Sequence, residues 1–235
     1  MGSLEKIFHV SIRKEIRGIK YVQGPSFIEI CHKLERCMKS FSDIEELIGF
    51  AESFLKKRID SLEKDVKHCL TYPYAPFPAL LYCFATIDLL GALYCGNASR
   101  QAPTKDQSVS FMRRFMKYSD DIAILLMDIF RHKMVHLAQP RPVIKSKGGY
   151  VSWRYWHDEP SHHLKMVEVC PPIYHKITSG LSVAISHRFE ISIVHLVRDI
   201  HRSVFSAQGF WDLLRNDTDI HTKFDKAVSQ IYEPA

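Results

Sequence analysis

The chain contains, at residues 120–136, the segment DDIAILLMDIFRHKMVH, from which we predict a helical bundle. Its apolar side chains recur at spacings of three and four residues, as expected for the buried face of an α-helix. They are Ile122, Leu125, Leu126, Ile129 and Phe130. We expect Asp120 or Asp121 to cap the start of this helix, and Pro140 and Pro142 to stop it.

Similar apolar spacings precede this segment. They predict helical structure from Ser26 and longer helices at about 43–69, 78–95 and 107–118. Ser42 or Asp43 is the expected cap of the first of these longer helices. Three prolines make residues 72–78 a loop, because proline cannot continue a regular helix.

After Pro142 the pattern changes to an alternation of apolar and polar residues. Gly148-Gly149 separates two alternating segments and predicts a hairpin with strands at 143–147 and 150–156. Further strands are predicted at 164–169 and 189–193, and helices at 194–205, 208–215 and 219–232. The predicted fold class is mainly α, with an N-terminal helical bundle and a small antiparallel β-sheet and C-terminal helices appended, α+β overall.

The expected organisation has three parts. Residues 1–42 form an N-terminal segment that packs on the bundle, residues 43–140 form the bundle, and residues 141–235 form the sheet and last helices, packed with the bundle as one unit. A chain of 235 residues can bury a sizeable core. The apolar run from Ala79 to Tyr94 is shorter than a membrane span, so we expect a core helix and no membrane contact.

Charge and cysteine content restrict the function classes. The net charge of +6 is spread along the chain, which disfavours a polybasic arm for nucleic acid or membrane. None of the six cysteines forms a CxxC pair, which disfavours zinc ribbons and fingers. Free cysteines in apolar stretches and a start without signal-peptide character predict a cytoplasmic protein. No cofactor and no metal are expected.

The segment at 120–136 ends in a candidate motif. Arg131 is followed by the polar His132 and, five positions after the arginine, by His136. This combination, at the end of a bundle helix, resembles the HEPN superfamily over roughly residues 43–140. Arg215 and His221 have similar spacing, but the residues between them predict a turn and a new helix cap.

The resemblance implies a metal-independent endoribonuclease in which the 2′-hydroxyl of RNA is the nucleophile. His136 would be the general base or acid, Arg131 the phosphate clamp and His132 a polar partner that orients the site. HEPN proteins commonly dimerise around this motif, so we expect a homodimer that binds RNA or a nucleotide. The alternative is a non-catalytic HEPN-like module that binds RNA, a nucleotide or another protein.

The geometry of the motif leaves two interpretations open. Five positions on a regular α-helix turn through about 500°, which leaves Arg131 and His136 on different faces. Both residues could instead stabilise the helix C-terminus, where cations are favoured. Asp88 lies within an apolar helix and needs a partner if it is buried, so it is a candidate to orient Arg131 or His136.

Two other groups suggest different chemistry. His132 and His136 have the spacing of two zinc ligands, but Lys133 stands where a metalloprotease has its glutamate. A metal-dependent enzyme would instead use the loop residues His157, Asp158, Glu159, His162 and His163. Stacking of single-stranded nucleic acid, or else ordinary hairpin packing, is predicted for Tyr150, Trp153, Tyr155 and Trp156 with Arg154 and Lys147.

Overall fold

The computed structural model describes residues 43–131, 143–146, 149–178 and 180–232, and these belong to one compact unit. The predicted N-terminal segment, 1–42, lies outside the described residues. So do several residues singled out in the sequence, namely His132, Lys133, His136, Pro140, Pro142, Lys147 and Gly148.

The first described helix, α1, spans Ile44–Cys69. Asp43 caps it by accepting a hydrogen bond from the backbone N–H of Glu46 over 2.7 Å. The buried side chains follow the predicted periodicity and are Leu47, Ala51, Phe54, Leu55, Ile59, Leu62 and Val66. The prediction of this helix is confirmed.

Helix α2 spans Pro76–Cys95. Proline is tolerated in its first turn because the first N–H groups of a helix have no partner within the helix. Gly96 ends α2 in the left-handed conformation, with a φ of 71°. By length and composition α2 could cross a membrane, but half of its most apolar stretch is buried inside the protein, as expected of a core helix.

The next two helices both change their winding before they end. Helix α3 spans Thr104–Phe111 and continues as a π-helical turn over Met112–Met116. Helix α4 spans Asp120–Leu126 and continues as a π-helical turn over Met127–Arg131. The expected cap of α4, Asp120 or Asp121, was wrong by one position.

The cap of α4 is Ser119, whose hydroxyl accepts a hydrogen bond from the N–H of Ile122 over 3.4 Å. A capping residue needs an extended backbone, and Ser119 has a ψ of 157°. Asp120 and Asp121 lie inside the first turn, where a negative charge is favoured by the helix dipole.

The sheet contains β1 (Val143–Ser146), β2 (Gly149–Trp156), β3 (Lys165–Thr178) and β4 (Leu181–Ser192). Its strand order is β1-β2-β4-β3, with antiparallel pairing of β1 with β2 and of β3 with β4. The predicted hairpin is confirmed, and β3 and β4 are longer than predicted. Strands β2 and β4 run parallel, so the sheet is mixed rather than antiparallel throughout.

Three helices complete the described chain: α5 (Ile193–Phe205), α6 (Phe210–Asn216) and α7 (Thr218–Tyr232). Strand β4 passes directly into α5, which contacts α2. Side chains of one sheet face, among them Val151, Phe189 and Ile191, join the helices in one hydrophobic core. The fold class, mainly α with a small sheet and C-terminal helices, is confirmed.

Candidate functional site

Phe130, the residue before Arg131, anchors the last described turn of α4 in the core. Its ring is fully buried and stacks on Phe84 of α2, with ring centres 5.3 Å apart. On another side it meets the ring of Trp153, on β2, at 5.0 Å. The backbone at Arg131 is therefore held where α2 and β2 meet, while His132 and His136 lie outside the described residues.

Asp88 lies on α2 and binds the neighbouring helix α3. The buried hydroxyl of Ser108 donates a hydrogen bond to the carboxylate of Asp88 over 2.5 Å. The two helices approach closely one turn further on, because Gly91 has no side chain. A Cβ at Gly91 would lie 2.8 Å from the backbone of Gln107.

Ser108 is therefore a partner of Asp88 that the sequence analysis missed. The available signal was the pair of small residues, Gly91 and Ser108, which permits a close helix crossing. An orienting role of Asp88 toward Arg131 or His136 stays a prediction.

The pleat of β2 separates the aromatic residues that the sequence analysis grouped together. Trp153 and Tyr155 share the face that carries the core residue Val151, whereas Arg154 and Trp156 lie on the opposite face. The Phe77 ring, at the start of α2, contacts both Trp153 and Tyr155 at 6.2 Å. Hairpin packing alone therefore does not describe these rings.

Two further rings lie at the surface in the loop before α2, which Phe77 follows, and one of them contacts His157, the residue after β2. Tyr74, in the loop before α2, contacts His157 at 6.3 Å and Tyr72 at 6.3 Å. Tyr72 is 85% exposed and Tyr74 is 67% exposed. We call the set Tyr72, Tyr74, Phe77, Trp153 and Tyr155 the aromatic edge; Trp153 is the member that contacts Phe130, and Tyr72 and Tyr74 are its most exposed members.

Two histidines of loop 157–163, His162 and His163, each contact a carboxylate. The ring of His162 donates from Nδ1 to Glu190, whose side chain is 1% exposed. Burial opposes ionisation of Glu190, but hydrogen bonds from His162 and Arg188 outweigh it and hold the pKa of Glu190 below its usual range. Glu190 is a buried charge that the sequence analysis did not identify.

His163 has both ring nitrogens occupied. Its Nδ1 accepts a hydrogen bond from the N–H of Ser192 over 3.3 Å, so Nε2 carries the proton and donates to Asp199 over 3.0 Å. Tyr118 also donates to Asp199, over 2.6 Å. Burial alone would raise the pKa of Asp199, but these two hydrogen bonds outweigh it and lower that pKa. Burial and the nearby carboxylate raise the pKa of Tyr118.

The metal-site hypothesis for loop 157–163 finds no support in this arrangement. His195 pairs with Asp158 at 3.3 Å, and its ring lies beside the ring of His163, with ring centres 5.7 Å apart. Within the described ranges, no three His, Cys, Asp or Glu side chains converge on a point that could hold a metal ion. The loop histidines instead join the sheet to α5.

The alternative arginine–histidine pair, Arg215 and His221, does not form a site. Helix α6 ends at Asn216 and α7 begins at Thr218, which confirms the predicted turn. Arg215 is paired with Asp212 on the surface, whereas His221 is buried.

No protein-family model matches this chain, and no curated protein or solved structure is significantly similar to it. Its function is therefore inferred from its own residues.

Proposed function

We propose that this chain is a cytoplasmic HEPN-like protein that cleaves RNA without a metal ion and acts as a homodimer. The observation that carries the proposal is the position of Arg131 at the inner end of the aromatic edge, where Phe130 anchors the helix. Arg131 clamps the scissile phosphate and His136 moves the proton of the 2′-hydroxyl. His132 orients the site.

The winding of the motif helix supports this pairing of residues. In a π-helix the hydrogen bonds join residues five apart, so such residues become neighbours along the axis. The turn over Met127–Arg131 has this winding up to the arginine of the motif. Arg131 and His136 are five residues apart, a spacing that a π-helix places on one side and a regular α-helix does not.

The aromatic edge supports single-stranded RNA as the substrate. Exposed rings stack on unpaired bases whatever their sequence, and Trp153 of the edge contacts Phe130, the residue before Arg131. Tyr72 and Tyr74 project furthest into solvent. In a duplex the bases are stacked on each other and are not available to stack on these rings.

A cleavage assay tests the proposal. Wild type, Arg131→Ala and His136→Ala are each incubated with single-stranded and duplex RNA, with and without EDTA. We expect wild type to cleave the single strand equally well in both conditions and to leave a 2′,3′-cyclic phosphate, and both variants to lose cleavage. Activity that EDTA abolishes, or that both variants retain, would refute the proposal.

A second candidate is a non-catalytic RNA-binding module, which the exposure of Tyr72 and Tyr74 favours equally. The same assay separates the two functions. If the protein is a binding module only, wild type binds the single-stranded RNA but does not cleave it. Binding is then measured by fluorescence anisotropy with the same RNA.

A further inference from the structure

The outer face of the sheet, opposite the face that carries Val151 and Phe189, holds a group of cations around one carboxylate. Glu190 of β4 lies beside Arg154 of β2 and Lys165 of β3 in register. Side chains at such positions point to the same side of a sheet, and neighbouring strands lie about 4.8 Å apart. Arg154, Glu190 and Lys165 thus form a row across three strands.

Glu190 fixes the members of this group that contact it. Arg188, two residues earlier on the same strand, donates to Glu190 from Nε over 2.9 Å and contacts it through a second guanidinium nitrogen at 2.8 Å. The ring of His162 donates to the other carboxylate oxygen. The carboxylate is almost completely buried, so its two partners are held in one orientation.

Arg154 is oriented by stacking instead of by an ion pair. Its guanidinium lies 4.1 Å from the centre of the Trp156 ring, and His162 stacks on the same ring at 4.2 Å. Two groups at this distance must occupy opposite faces of the indole. Arg154 is exposed, and a guanidinium carries its donors in one plane.

The cations of this group outnumber its acids. Arg188 contacts Glu190, and Arg154 and Lys165 lie beside it in register, so three cationic residues stand against one carboxylate. Across the described part of the chain, neither Arg154 nor Lys165 forms an ion pair with an acidic side chain. A preorganised cluster with excess positive charge and planar donors favours an anion with several oxygens.

We propose that Arg154, Arg188 and Lys165 form a phosphate-binding site on the outer face of the sheet, with Glu190 as the positioning residue. The ligand is a phosphate group, either of an RNA strand or of a free nucleotide. The site rests on its own geometry, and only the choice of RNA as the source rests on the proposed function. In that case the sheet holds the backbone of the strand that is cleaved at Arg131.

Binding of a non-cleavable RNA tests the site. The probe is a fluorescein-labelled single-stranded 2′-O-methyl RNA, which lacks the attacking hydroxyl, and the full chain is titrated at several salt concentrations. For the double variant Arg154→Gln/Lys165→Gln we expect about a tenfold loss of affinity and a salt slope smaller by about 2, since each lost phosphate contact lowers the slope by about 1.

The matched control removes the same charge elsewhere. Arg215→Gln/Lys223→Gln takes two exposed cations from α6 and α7, where they pair with Asp212 and Asp219. We expect its affinity and salt slope to equal those of wild type. Equal losses in both double variants, or no loss in the first, would overturn the site. Should the first double variant not fold, Lys165→Gln alone is used, because that side chain is exposed.

Competition identifies the source of the phosphate. Displacement of the probe by a nucleoside monophosphate, but not by inorganic phosphate at the same concentration, supports a free nucleotide. Displacement by neither, with binding lost in the Arg154→Gln/Lys165→Gln variant, supports the RNA backbone. If wild type binds none of the three ligands, there is no phosphate site.

Failure of this site and failure of the proposed function are distinguishable. Arg131→Ala and His136→Ala leave Arg154, Arg188 and Lys165 in place, so we expect Arg154→Gln/Lys165→Gln to cause the same roughly tenfold loss of probe affinity on each of these backgrounds as in wild type. If they still cleave ordinary RNA, the proposed ribonuclease site is wrong and the phosphate site stands. If Arg154→Gln/Lys165→Gln binds the probe normally, the phosphate site is wrong and the ribonuclease proposal stands.

Discussion

The phenol of Tyr118 donates a hydrogen bond to the carboxylate of Asp199 over 2.6 Å, and this contact joins the helical bundle to α5. Tyr118 follows the π-helical turn of α3, and Asp199 also accepts a hydrogen bond from His163. One carboxylate therefore connects the bundle, the loop after β2 and the helix after β4.

Removal of this hydroxyl should destabilise the fold measurably. Tyr118→Phe leaves the buried ring in place but deprives Asp199 of one donor, so we expect a loss of about 1–2 kcal/mol in the free energy of unfolding. Urea denaturation followed by circular dichroism measures it. Tyr82→Phe is the control, because Tyr82 is half exposed, and its stability should equal that of wild type. Equal stability of both variants would show that the bond contributes nothing.

The pH dependence of stability should depend on Glu190. Its lowered pKa means that the stabilisation is fully present above the pKa of an unfolded glutamate, about 4.3, and is lost as the pH falls through the folded pKa. Glu190→Gln removes the charge at every pH. We expect this variant to be less stable than wild type by about 2–3 kcal/mol at pH 7.

The difference between Glu190→Gln and wild type should therefore narrow below about pH 4.3, measured by urea denaturation at successive pH values. The pKa of Asp199 is lowered too, so wild type itself should lose stability in the same direction. A difference that stays constant from pH 7 to pH 3 would contradict the ionic role of Glu190.

The close crossing of α2 and α3 makes a prediction at Gly91. A methyl group there would lie 2.8 Å from the backbone of Gln107, so the helices must move apart and the contact of Ser108 with Asp88 lengthens. We expect Gly91→Ala to cost about 1–3 kcal/mol. Gly49→Ala is the matched control on α1, where nothing lies within 4 Å, and helix propensity should make it up to about 1 kcal/mol more stable.

If Gly91→Ala and Gly49→Ala were stabilised alike, the predicted clash at Gly91 would be contradicted. Thermal unfolding of the two proteins in parallel decides it. The result would then show that α2 and α3 can separate without loss of packing.

The helices were predictable because their signals are local. The spacing of Leu47, Phe54 and Ile59 and the cap at Asp43 act within a few residues, as do the prolines that precede and open α2, which begins at Pro76, within the predicted loop 72–78. Pairing of β2 with β4 was not predictable, because it joins segments separated by β3 and depends on long-range packing. The sheet was expected to be antiparallel for the same reason, since only the β1/β2 hairpin has a local turn signal.

Charge clusters across strands were hidden in the same way. Glu190 is surrounded by Arg154, Arg188 and Lys165 only once the strand order is known, so the sequence offered the loop histidines only as an alternative metal site and did not pair them with Glu190 and Asp199. The aromatic edge was partly predicted, because Trp153 and Tyr155 alternate on one strand. Tyr72, Tyr74 and Phe77 join them from another part of the chain and carry no local signal.

The aromatic edge makes a prediction that separates stacking from general surface effects. Tyr74→Ala removes a ring that is 67% exposed, so folding should be unchanged while binding of single-stranded RNA weakens by about 1–3 kcal/mol, the contribution of one stacked base. Tyr174→Ala is the matched control, because Tyr174 is 76% exposed on β3 and contacts no member of the edge in the described structure.

Fluorescence anisotropy with single-stranded and duplex probes measures the RNA affinity of both variants. If the edge stacks bases, only Tyr74→Ala loses affinity and only for the single strand. If Tyr174→Ala also lost affinity, or if Tyr74→Ala lost affinity equally for duplex RNA, the tyrosines would affect binding non-specifically. The RNA would then not stack on the aromatic edge.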